Sequence, residues 1–174
     1  MFDSAEAGGK VIILGIDPGL ANTGWGVVEQ AGPHLRCIAY GCITTPSTDP
    51  LPQRLAIIHE QLRAVIGRYA PEACAVESVY FGTNAKTAFA TGQARGVAVL
   101  ATADSGLALG EYGPGEIKMA VVGSGSADKG QVQYMVRTIL GLDRNPAPDH
   151  AADALAAAIC HAHSRIARAA LGRA

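Results

Sequence analysis

Apolar and polar positions alternate along this chain in runs whose period changes, and each change marks a new element. Val11-Ile12-Ile13-Leu14-Gly15-Ile16 is an unbroken apolar run closed by Asp17. It is too short for a membrane span and fits a strand buried on both faces. Pro18-Gly19 turns the chain, and Gly19, Gly24 and Gly26 are expected to loosen that turn. Trp25 to Val28 with its neighbours gives a second strand. Leu35 to Thr45 returns as a third after the Gly32-Pro33 turn, so three strands on short links form an antiparallel meander. After a loop from Pro46 to Pro52 the period becomes helical. Leu55, Ile58, Leu62, Val65, Ile66 and Tyr69 share a face that Pro71 ends. Residues 73–79 read as a fourth strand carrying Glu77, with the crossover of a parallel return.

The second half is helical with one more strand. Asn84 can cap a long Ala/Gly/Thr helix reaching about Asp104, whose small residues suit close packing against another helix, including one from a second subunit. Leu107 to Tyr112 is a fifth strand, Pro114 opens a short helix through Val122, and Gly123 to Ser126 is a flexible link. A helix from about Ala127 to Leu140 carries Val132, Met135, Val136, Ile139 and Leu140 on its apolar face. Asn145 to Pro148 breaks the chain, and a last helix starts near Asp149 and runs to a basic end at Arg165, Arg168 and Arg173. The expected organisation is a mobile leader over 1–10, one α/β domain over 11–165 and a basic tail over 166–174.

Composition narrows the class. The 174 residues are 49% hydrophobic and 17% charged, which suits one globular domain and not a disordered chain. A formal charge of −1 does not announce a nucleic-acid binder. Two bound divalent cations would change that locally by four charges, from −1 to about +3. Cys37, Cys42, Cys74 and Cys160 form no CxxC pair and fall in strand- or helix-like runs, so buried reduced thiols are expected. Residues 1–10 lack the form of a signal peptide, and no stretch has transmembrane length, so the expectation is a soluble cytoplasmic protein.

Three acids stand where an apolar residue would be cheaper: Asp17 at a strand end, Glu77 in the fourth strand and Asp153 on an Ala/Leu helix. Asp17 alone could equally cap its turn. If the first and fourth strands are neighbours, however, Asp17 and Glu77 lie side by side, and Asp153 on a helix packed against them completes a cluster. Such close like charges make sense only with divalent cations. Two such ions about 4 Å apart are the machinery of phosphodiester cleavage. His150, three residues before Asp153, shares its helical face, with Asp149 one step further. It could be a first-turn surface residue. As a ligand, its imidazole suits Mn²⁺ better than hard Mg²⁺, giving faster turnover with Mn²⁺, an advantage that His150→Asp would weaken.

Together these motifs carry a resemblance. Ile13-Leu-Gly-Ile-Asp17-Pro-Gly, Ala75-Val-Glu77, Gly92-Gln-Ala-Arg-Gly96, Val121-Val-Gly-Ser-Gly-Ser-Ala-Asp-Lys129 and Asp149-His-Ala-Ala-Asp153-Ala-Leu-Ala resemble, in order, the RuvC family of bacterial Holliday-junction resolvases. The resemblance implies a ribonuclease H-like α/β fold with a five-stranded mixed sheet flanked by helices. It also implies a homodimer, and recombination and repair by two metal-dependent nicks in four-way junction DNA. By motif position the catalytic acids and metal ligands fall on Asp17, Glu77 and Asp153, with His150 at the fourth position. The cofactor is Mg²⁺ or Mn²⁺, two per site. The RuvA–RuvB branch-migration proteins are implied candidate partners, and no membrane is.

Other residues are less specific. Tyr80-Phe81 follow Glu77 closely and could wedge into base stacking, or could be a core pair; the resemblance favours DNA. Lys118 and Lys129 match the family's DNA-facing lysines, although lone lysines are usually just solvated. Lys118 could also steady charge on the scissile phosphate. Arg95 reads as structural or phosphate-binding. Gly125 to Gly130 lacks P-loop spacing, and Cys160-His161-x-His163 is half a zinc site without its other half. Two other functions compete with this one: an ATP-using relative of the actin/sugar-kinase group, and a junction binder without catalysis.

Overall fold

Seven residues, Val11–Asp17, form β1, whose central members are completely buried because both faces are covered. The computed structural model describes residues 9–78 and 85–171. β1 pairs antiparallel with β2 (Asn22–Ala31), which pairs antiparallel with β3 (His34–Thr44). On its other edge β1 pairs in parallel with β4 (Ala73–Glu77), and β4 with β5 (Ala108–Tyr112). The order β3-β2-β1-β4-β5 is the five-stranded mixed sheet expected, with the meander on one side and the crossover strands on the other.

Helices cover both faces. α1 (Leu51–Tyr69) and α2 (Ala85–Asp104) pack on Leu14, Ile16, Val27 and Cys74. α3 (Pro114–Val122), α4 (Lys129–Leu140) and α5 (Asp149–Leu171) cover the opposite face, on Ile13, Val28 and Ala75. The division follows the period of two along each strand. α5 is the central helix: from Ala151 to Ala162 all residues but Asp153 are buried, since alanines let sheet and helices crowd it from several sides.

Several boundaries differ from the sequence reading. β2 begins at Asn22, so Gly24 joins Gly26 inside the strand and does not loosen the turn. α1 begins at Leu51, because Pro52 fits a first helical turn whose N–H groups need no partner. β4 ends on Glu77, β5 starts at Ala108, and α4 starts at Lys129 behind an Asp128 cap. α5 starts at Asp149 and runs to Leu171 with Arg165 and Arg168 exposed, in keeping with the last helix read from the sequence. Cys74 and Cys160 are buried, but Cys37 and Cys42 only half so; all four are free thiols. Burial pushes the thiols of Cys37, Cys74 and Cys160 up, to about 11, about 12 and about 11. No helix among the described residues is long and apolar enough to cross a membrane.

Candidate metal centre

Two strand ends and one helix start build the site. β1 and β4 run parallel with Ile16 opposite Val76, so Asp17 and Glu77 leave matching strand ends toward the α5 face. What brings α5 down onto them is missing side chains. A Cβ on Gly15 would lie 1.9 Å from the carbonyl oxygen of Ala154, and one on Gly24 1.9 Å from that of His150. Only glycine permits such contact, and the helix therefore lies directly on β1 and β2 with its first turn above Asp17.

The His150 Nδ1 then lies 2.7 Å from Asp17 Oδ2. Asp17, His150 and Asp153 each offer a ligand atom within 4.8 Å of the other two. Glu77 stands outside this trio but shares a cavity of about 260 Å³ with Asp153, Lys118, Lys129, Ile117 and Val132. Burial pushes the Asp17 carboxyl up; the hydrogen bond with His150 works against this, and the Asp153 charge adds to it. Glu77 is pushed up to about 7, by burial first and then by Asp17 and Asp153, with Lys118 opposing. Mutual repulsion among half-buried acids, with oxygen and imidazole donors converging, is the donor set that a divalent cation fits.

Lys129 is placed less simply than a DNA-facing lysine. Its Nζ lies 3.2 Å from Asp149 Oδ2 and 3.4 Å from Asp153 Oδ2. Burial works against its charge, but Asp153 and Asp149 outweigh that and raise the ammonium above its usual range. One turn along α4, the Gln133 amide donates to Asp149 Oδ1 at 2.9 Å. The sequence reading missed Gln133, although its spacing of four from Lys129 on one helical face was visible. Lys118 lines the cavity on α3. Tyr80 and Phe81 lie outside the described residues. Arg95 is ion-paired to Glu111 on β5, which is its structural alternative. The half zinc site has other occupations: His161 Nδ1 contacts the Tyr112 hydroxyl at 2.9 Å and His163 Nδ1 the Ala120 carbonyl at 3.0 Å.

The family model described as crossover junction endodeoxyribonuclease RuvC matches residues 13–161. A protein of that name from Alkaliphilus oremlandii is 51% identical over 154 residues, covering 88% of this chain and 94% of the relative. One from Chloroflexus aggregans is 54% identical over 151 residues, covering 87% and 92%. The solved structure of T. thermophilus RuvC in complex with Holliday junction substrate superposes with a TM-score of 0.86 at 36% identity, covering 91% of this chain and 96% of that one.

Proposed function

This chain belongs to the crossover junction endodeoxyribonuclease RuvC family, and on that premise we propose that it resolves Holliday junctions. It does so by two symmetric nicks that leave 5′-phosphate and 3′-hydroxyl ends. The single observation that carries the reading is the convergence of Asp17, His150 and Asp153 within 4.8 Å, beside Glu77. A phosphodiester needs an activated water, in-line geometry and relief of charge on the leaving oxygen. Mg²⁺ or Mn²⁺, two per site on Asp17, Glu77, His150 and Asp153, would supply the activated water and the charge relief.

The protein's own residues supply placement. Asp17 is fixed by a buried strand end, and the His150 contact at 2.7 Å sets the imidazole against it. Lys118, beside Glu77 on the cavity wall, puts a positive charge where a scissile phosphate would enter. Lys129 is assigned to the DNA backbone, and Tyr80 and Phe81 to unstacked bases at the crossover. Among the described residues one chain carries one such centre, while resolution takes two cuts, so the working unit is a two-fold homodimer. Its interface is assigned to the outer face of α2, where Phe89 is 70% and Leu100 53% exposed with Gly92 and Gly96 between them. With DNA as substrate the compartment is the cytoplasm, and RuvA and RuvB are candidate partners.

The test is a labelled four-way junction incubated with Mg²⁺ or Mn²⁺. Wild-type protein is expected to nick opposed strands only with metal, faster with Mn²⁺, and Asp17→Asn to bind the junction without cutting it. Binding without metal-dependent nicks by the wild type would leave only a junction binder.

A further inference from the structure

We propose that the Lys129 ammonium is a built-in counter-ion of the metal centre, which a divalent ion must displace from Asp153 in order to bind. The proposal rests on the reading of Asp153 as a metal ligand and adds to it a competitor carried by the chain itself.

The geometry is a ladder between two helix starts. Lys129 and Gln133, four apart on α4, face Asp149 and Asp153, four apart on α5. The ammonium sits between both carboxylates, at 3.2 Å and 3.4 Å. Among the described residues it is the one cation within 4.0 Å of Asp153, whereas Asp17 is met by His150. The base of its stem is fixed: Lys129 is the first residue of α4, and Asp128 caps the helix, accepting from the Gln131 N–H at 2.9 Å. Its head is free to leave, since the side chain is 53% exposed on a flexible four-carbon stem. A lysine anchored at its root and half in water can release a carboxylate without unfolding anything.

Competition has a thermodynamic signature. A cation held at Asp153 lowers the site's affinity for any other cation, and metal binding loosens Lys129 by the same factor. The freed ammonium is then available to a backbone phosphate. A lysine that merely orients Asp153 for the metal has the opposite signature, because its removal weakens metal binding.

The experiment is Mn²⁺ binding to the chelator-stripped full-length protein, read from the paramagnetic resonance of free Mn²⁺. Lys129→Gln is expected to bind Mn²⁺ more tightly than wild type by about fivefold or more. Lys118→Gln removes the same charge from the same cavity without an ion pair to Asp153, and is expected to change affinity much less. Lys129→Arg, whose planar fork grips carboxylates more firmly, is expected to bind more weakly than wild type. In the wild-type protein the ¹⁵N resonance of the Lys129 ammonium should move when Mg²⁺ is added. Equal or weaker Mn²⁺ binding by Lys129→Gln, or equal gains in both glutamine variants, overturns the proposal. A wild type that binds no Mn²⁺ overturns the metal reading itself.

Discussion

At the scale of single residues, Glu77 shows how position governs chemistry. It closes a buried strand near Asp17 and Asp153, and its carboxyl is pushed from 4.5 to about 7, burial acting first and the two charges adding to it. A raised carboxyl means that the folded chain holds the proton more tightly than the unfolded one. Its support for folding is therefore complete below about pH 4.5 and is lost as pH rises through about 7. In chelator-stripped protein the melting temperature is expected to fall over that window, and Glu77→Gln should flatten the fall. Calorimetric scans across the window check this; equal slopes in both proteins would show that Glu77 is not the group responsible. The sequence reading singles out Asp17, Glu77 and Asp153 because an acid closing an apolar run or punctuating an Ala-rich helix stands out against its neighbours, and His150 by its spacing of three from Asp153; the structure brings Asp17, His150 and Asp153 within 4.8 Å, with Glu77 outside the trio. The bridging place of Lys129 was not legible, since nothing in a lone lysine says which carboxylate it will meet.

At the scale of elements, the site depends on how closely α5 approaches the sheet, and glycine sets that distance. The sequence reading let Gly24 and Gly26 loosen the turn, although Gly26 falls within its second strand, because glycine near Pro18-Gly19 suggests irregularity. The structure gives them a packing role, with a Gly26 Cβ reaching within 2.6 Å of the Leu155 side chain. The signal was present, in that Gly15 pairs with Gly26, and Gly24 with Asp17, across β1 and β2 beneath an alanine-rich helix. A single sequence does not disclose register, however, so the match could not be read. Two glycine-to-alanine changes should consequently act in opposite directions. Gly24→Ala drives a methyl into the His150 carbonyl and should cost about 1–3 kcal/mol of stability, with a larger loss of junction cleavage as the first turn of α5 lifts from Asp17. At Gly67, inside α1, an added Cβ meets nothing within 4 Å, so Gly67→Ala should stabilise by about 0.5–1 kcal/mol with activity unchanged. Denaturant titration with a cleavage assay on both variants decides. A harmless Gly24→Ala would mean that helix proximity is not what assembles the centre.

At the scale of the whole molecule, the fold was legible where periodicity is strong and misread mainly at element ends. The strand meander, the crossover through α1 and the order of helices follow from period and punctuation. The start of α1 was displaced because proline marks a loop and a helical first turn equally well. The feature that most exceeds one chain is α2. Its inner side packs Ala94, Ala98 and Ala101 into the core, while Phe89, Gly92, Gly96 and Leu100 line the outside. Large apolar side chains flanking exposed glycines make a surface into which a second copy of the same helix can settle closely, and a two-fold axis there would hold two metal centres at a fixed separation. Leu100→Glu tests this without touching either centre or the core, since Leu100 is 53% exposed in the single chain. Melting temperature should change little, while sedimentation should show the dimer weakened by about 2 kcal/mol or more. On a supercoiled plasmid bearing a cruciform, the wild type should yield linear product from paired cuts. Leu100→Glu, as separate protomers, should yield mainly nicked circles. Linear product and an intact dimer in the variant would place the two-fold axis on another face.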